Sequence, residues 1–98
     1  MNLIKFNNWL IYNGANKKVA SDIVSRLKRI DKELLYSDLN TTVDEQYKID
    51  ACKSIIYSLN KKNIDDKNIL ISTNLPIKKA EISNYKTALK KYLKYLES

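Results

Sequence analysis

The lysines of residues 81–98 are the side chains whose type and spacing most clearly suggest chemistry. Tyr85, Leu89 and Tyr92 recur at the spacing of one helix face, whereas the lysines lie on the flanks of that stripe or opposite it. Ammonium groups and Ser or Thr hydroxyls are the donors that contact phosphate oxygens. Residues 16–36 repeat this design, with basic and serine side chains around an apolar stripe. Both segments therefore predict salt-dependent binding to a polyanion, with little discrimination between bases.

The distribution of charge leaves two interpretations open. The net charge is +7, the two ends of the chain are basic, and an acidic stretch covers residues 31–52. This asymmetry is typical of a protein that turns one face toward a polyanion. Lysine is also the common means of keeping a helix in solution, so phosphate contact and plain solvation are both consistent with the sequence.

The chain offers little for catalysis. It contains no histidine, which removes imidazole bases and imidazole metal ligands. Its one cysteine, Cys52, falls on the apolar side of a predicted helix, as expected of a small core residue. Adjacent carboxylates such as Asp65 and Asp66 point in different directions on a helix and do not form an acid–base pair. We therefore expect no enzyme activity, no metal and no cofactor.

The same composition suggests where the protein acts. A single thiol cannot form an internal disulfide, which favours a reducing compartment. The first residues lack the pattern of a signal peptide, and no apolar run approaches the roughly 20 residues that span a bilayer. We expect a cytoplasmic protein that does not enter membranes.

Tyrosine is unusually frequent, with seven copies. Tyr85 and Tyr92 lie on the apolar stripe of the last segment, and we expect both to pack in the core. Tyr95 falls off that stripe. For Tyr95 the sequence leaves core packing and an exposed, partner-facing role as equal alternatives.

Helical periodicity positions these side chains. Gly and Pro occur once each, which disfavours tight hairpins and favours an all-α, compact four- to five-helix bundle in a single domain, residues 1–98. Predicted helices cover residues 3–13 and 16–36, then a third begins after Thr42 and ends before Asn60. The buried side of this third helix is predicted to contain Ile49, Cys52, Ile55, Ile56 and Leu59. Residues 64–71 are a possible short helix. Ser83 and Asn84 are candidate N-caps of the last helix, and a start near Lys78 is the alternative.

Two stretches of the sequence resemble one known domain. The first comprises Phe6, Trp9 and Leu10 followed by residues 16–30, NKKVASDIVSRLKRI. The second is residues 83–96, SNYKTALKKYLKYL. Together they resemble the SAM-like, core-binding domain of tyrosine recombinases (phage integrases). Val19 and Ile23 stand near where that family often has threonine and tyrosine, and the family's catalytic arginine–histidine–tyrosine machinery is missing.

The resemblance implies a non-catalytic module that binds duplex DNA in recombination or mobile-element biology. In that family the second and fourth helices of the domain face the DNA. Carried over to this chain, the candidate DNA contacts are Lys17, Lys18, Ser21, Ser25, Arg26, Lys86, Thr87, Lys90 and Lys91.

Two other functions remain open at this point. One is a small phage or mobile-element protein that uses its basic face on an acidic protein surface and inhibits its partner, for example a nucleic-acid-binding defence enzyme. The other is a self-associating structural bundle. The sequence does not determine the oligomeric state.

Overall fold

Five α-helices form the architecture of the computed structural model, which describes residues 1–98. They are α1 (Leu3–Tyr12), α2 (Lys17–Tyr36), α3 (Val43–Asp50), α4 (Lys53–Ser58) and α5 (Ile82–Leu96), and there is no strand. This confirms the all-α prediction. None of the five is long and apolar enough to cross a membrane.

Polar side chains cap the N-terminal ends of the first three helices. The Oδ1 atom of Asn2 accepts a hydrogen bond from the backbone N–H of Lys5 at 3.0 Å, and Asn16 accepts one from Val19 at 2.9 Å. Thr42 caps α3 by accepting from the N–H of Glu45 at 3.1 Å, as the capping-box pattern predicts. These caps place the starts of α2 and α3 where the sequence indicated them.

The paired helices α2 and α5 are the centre of the molecule. They make the most extensive helix–helix contact, and α1 packs against both. Arg29 of α2 bonds Tyr85 near the start of α5, whereas Val19 near the start of α2 shares a cavity wall with Lys91 near the end of α5. The two helices therefore run antiparallel. Their inner faces belong to one core of 19 buried residues, to which α2 supplies Ala20, Ile23, Leu27, Ile30 and Leu34.

An aromatic cluster joins α1 to the C-terminal half of α5. The ring centroids of Phe6 and Tyr92 lie 5.3 Å apart in an edge-to-face arrangement, and Tyr92 and Tyr85 are buried as predicted. Tyr95 lies 5.4 Å from Phe6 and 5.7 Å from Trp9 between ring centroids. Tyr95 is thus half-buried against α1, and packing rather than full exposure is its observed environment.

The predicted third helix is two helices. Ala51 and Cys52 have φ angles of 57° and 61°, in the left-handed region, so α3 ends and α4 begins in a new direction. Because of this turn, Ile49 is 72% exposed, and its predicted burial is wrong. Cys52, Ile55 and Leu59 are buried as predicted, whereas Ile56 is only half-buried.

Residues 59–81 contain turns and no helix, so the possible helix over residues 64–71 is absent. The buried amide of Asn68 organises this segment, because its Nδ2 donates to the carbonyls of Ser58 at 3.0 Å and Asn63 at 2.8 Å. Its Oδ1 accepts from the N–H of Leu70 at 2.9 Å. The last helix starts at Ile82 with Glu81 in the N-cap position, so neither Ser83 nor Asn84 is its cap, and the start lies four residues after Lys78.

Candidate nucleic-acid interface

Almost all basic side chains of this protein lack an internal counter-charge. Of the 18 lysines and arginines, only Lys18 is in an ion pair with a carboxylate, with 3.6 Å between its Nζ and an Oδ of Asp22. The other ion pair of the structure joins the N-terminal ammonium to Asp44. Since so few carboxylates neutralise these cations, their field extends into solvent, where it attracts anions.

The lysines of α5 form a continuous ridge. Lys86, Lys90 and Lys94 are spaced by four residues and follow one side of the helix, and Lys91 lies beside Lys94. Lys90, Lys91 and Lys94 are exposed, and Lys86 is half-buried. We call these four residues the α5 ridge. Its length is about 12 Å, because eight residues of helix separate its ends.

Thr87 lies on the outer side of α5, but its hydroxyl is bonded to the backbone of the same helix. Its hydroxyl donates to the carbonyl of Ser83 at 3.0 Å. A hydroxyl has one proton to donate, and phosphate oxygens accept rather than donate, so Thr87 in this rotamer has no donor for a phosphate.

The candidates on α2 fall on different sides of that helix. Arg26 lies on the edge that borders α5, since Arg29, three residues later, contacts α5 directly. Lys18 lies on the outer face, where it pairs with Asp22 and its side chain is 86% exposed. Ser21 and Ser25 are exposed on the outer face.

Lys17 lies on the opposite edge of α2. Lys17, Val24 and Asp31 are spaced by seven residues and share this edge. The carboxylate of Asp31 accepts from the N–H of Val43 at 2.8 Å, so the edge borders α3. The structure therefore brings Arg26 beside α5, leaves Lys18 on the outer face and separates Lys17 from α5.

Arg29 is the basic side chain with the most internal contacts. One guanidinium nitrogen donates to the Tyr85 hydroxyl at 2.7 Å, and the other donates to the carbonyl of Asn74 at 3.0 Å. The guanidinium carbon lies 5.6 Å from the centroid of the Tyr85 ring. Glu33 accepts from the N–H of Asn74 at 2.7 Å. Arg29 thus ties the loop before α5 to both long helices.

Sequence reasoning missed Lys61 and Lys62. They line a surface groove of about 370 Å³ together with Lys86, between the end of α4 and the start of α5. In the sequence these two residues mark only the end of a helix. Their proximity to Lys86 depends on the path of residues 63–81, for which no local pattern gives a signal.

Asp44, Tyr92 and Cys52, whose pKa values are shifted, are bonded or buried within the fold and lie outside the basic surface. Burial raises the pKa of Asp44, but the hydrogen bond from the Tyr92 hydroxyl at 2.6 Å and the N-terminal ammonium at 3.0 Å outweigh it, and the pKa of Asp44 lies below its ordinary value. Burial and the bond to Asp44 raise the pKa of Tyr92. Burial raises the pKa of the Cys52 thiol to about 12, so the thiol is protonated at neutral pH.

Comparison with known proteins identified no similar protein. No protein-family model, curated protein or solved structure matches this chain.

Proposed function

We propose that this protein is a non-catalytic DNA-binding module that contacts the phosphates of duplex DNA through the α5 ridge and the adjoining edge of α2. The observation that carries the proposal is the lack of internal carboxylate partners for the basic side chains, of which only Lys18 is in a carboxylate ion pair. Unpaired lysines along one helix are available to replace the counterions of DNA. The resemblance to the core-binding domain of tyrosine recombinases supports the same partner, in cytoplasmic recombination or mobile-element biology.

The dimensions of the ridge are compatible with this partner. Its length of about 12 Å is close to the width of the major groove, about 12 Å. Lysines at both ends of the ridge can therefore reach phosphates on either side of that groove. Arg26 extends the cationic surface onto α2. Because these contacts are made to phosphates, we expect affinity without strong sequence preference.

The test replaces lysines in one region while keeping the net charge matched in a control. The variant K86Q/K90Q/K91Q removes three charges from α5, and the control K17Q/K28Q/K32Q removes three exposed charges from the sides of α2 that do not border α5. Fluorescence anisotropy with a duplex bearing 5′-hydroxyl ends measures affinity between about 50 and 200 mM salt. We expect the slope of log K against log salt to fall by about three units in the first variant and by less than one in the control.

Two results would overturn the proposal. An equal loss in both variants would mean that net charge alone attracts DNA, and that α5 is no interface. Indifference of the unaltered protein to duplex DNA at about 50 mM salt would exclude DNA as the partner and favour an acidic protein surface. Circular dichroism of each variant establishes that the helices remain intact.

A further inference from the structure

The groove between the end of α4 and the start of α5 has an unusual charge composition. Lys61, Lys62 and Lys86 line it, and no carboxylate does. None of the three lysines takes part in an ion pair. Three ammonium groups around one groove repel each other, and a bound anion would remove that repulsion.

The end of α4 does not require these lysines. Lysines near a helix C-terminus often stabilise its free carbonyl groups. Here asparagine side chains do so, because Asn63 donates to the carbonyl of Tyr57 at 3.1 Å and Asn68 donates to that of Ser58 at 3.0 Å. Lys61 and Lys62 are exposed and make no side-chain hydrogen bond within the protein. Capping therefore does not account for their position.

The groove also has an apolar wall. Leu59, Ala80 and Ile82 line this side of the groove. Leu59 and Ile82 are only 1% and 2% exposed, so the accessible apolar surface comes from Ala80 and from the aliphatic stem of the half-buried Lys86. The volume of about 370 Å³ lies at the small end of the range for ligand sites, about 300–1,000 Å³. A site of this size and character suits one nucleotide, with its base on the apolar wall and its phosphate among the lysines. It is too small for a duplex.

We propose that this groove binds the phosphate monoester of a nucleotide, carried either by the 5′ end of a DNA strand or by a free mononucleotide. A monoester has a charge of about −1.5 to −2 near neutral pH, whereas each phosphodiester of a DNA backbone has one negative charge. Three lysines match the monoester better. For a strand end, the proposal rests on the proposed function, since the α5 ridge continues from Lys86 along the duplex; for a mononucleotide it does not.

The experiment compares duplexes that differ only in the 5′ end. Anisotropy titrations use the unaltered protein, the variant K61Q/K62Q and the control K78Q/K79Q, an adjacent exposed pair that lines a different cavity, beside Arg29. We expect the 5′-phosphorylated duplex to bind the unaltered protein and the control about tenfold more tightly than the 5′-hydroxyl duplex. In K61Q/K62Q we expect that difference to disappear.

A second titration follows backbone amide resonances by NMR as a 5′-nucleoside monophosphate or inorganic phosphate is added. We expect the resonances around Lys62 and Ile82 to shift at a lower concentration of the nucleotide than of inorganic phosphate. This result would support contact of the phosphate with the lysines and of the base with the apolar wall. Equal potency of the two ligands would overturn the nucleotide assignment.

The two proposals fail separately. Equal affinity for both duplex ends, together with no resonance shift from the mononucleotide, overturns the groove site, while salt-dependent binding of the 5′-hydroxyl duplex leaves the proposed function standing. If neither duplex binds, the proposed function is overturned and the mononucleotide titration alone decides the groove.

Discussion

Helices α1, α2 and α5 contain ten, twenty and fifteen residues, whereas between residues 43 and 81 the longest helix has eight. The long helices are held by apolar side chains at helical spacing, and their contacts form most of the core. Residues 51–81 also contribute buried apolar side chains, such as Leu59 and Leu70, but their irregular backbone depends in addition on polar side chains that bond it, with Asn68 at the centre. The comparison teaches that the long helices tolerate polar substitution on their surface, whereas the fold of residues 51–81 depends on single polar side chains.

The two proposed binding sites draw on different regions. The α5 ridge belongs to the long helices, whereas Lys61 and Lys62 belong to the irregular segment. Arg29 joins the two regions through Tyr85 and Asn74.

Replacing Asn68 should cost most. Asn68→Ala removes three hydrogen bonds and leaves two carbonyls and one N–H in the interior with no partner from this side chain. We expect the free energy of unfolding to fall by about 3 kcal/mol, measured by urea denaturation.

The matched control for this substitution is Asn8→Ala. Asn8 is exposed on α1 and should change stability by less than about 0.5 kcal/mol. Equal stability of the two variants would show that polar bonds do not hold residues 51–81.

Replacing Arg29 tests the link between the regions. Arg29→Gln removes the charged donor from the Tyr85 hydroxyl and from the Asn74 carbonyl. We expect a loss of about 1.5 kcal/mol in urea denaturation. The neighbouring Lys28→Gln makes the same charge change on an exposed side chain and should have almost no effect. A loss as small as that of Lys28→Gln would contradict the structural role of Arg29.

The smallest expected effect concerns the turn between α3 and α4. Here the direction of the change in stability, rather than its size, tests the structure. Ala51 has a φ angle of 57°, which disfavours a residue with a side chain by about 1–2 kcal/mol. Glycine relieves this penalty but makes the unfolded chain more flexible, so we expect Ala51→Gly to stabilise by about 0.5 kcal/mol in thermal denaturation.

Ala20→Gly is the contrasting variant, because Ala20 is buried within α2 and glycine there should cost at least about 1 kcal/mol. If residues 43–58 formed one continuous helix, Ala51→Gly would be destabilising as well.

The sequence by itself determined the long helices and their inner faces. Asn16 and Thr42 indicate where α2 and α3 begin, and the spacing of Tyr85, Leu89 and Tyr92 indicates which side of α5 is buried. These features depend on contacts within a few residues or on the helical repeat, so they are visible in a single chain.

Only the tertiary structure decided the turn at Ala51, the separation of Lys17 from α5 and the position of Lys61 and Lys62 beside Lys86. The backbone of Ala51 and Cys52 adopts a left-handed conformation that neither residue type favours, and Cys52 is buried in that conformation. Which edge of α2 meets α5, and where residues 59–62 come to lie, depend on the packing of distant segments. No local pattern contains that information, because the bonds of Arg29 join residues 45 and 56 positions apart and the bond from Asn68 to the Ser58 carbonyl spans ten residues without a regular repeat.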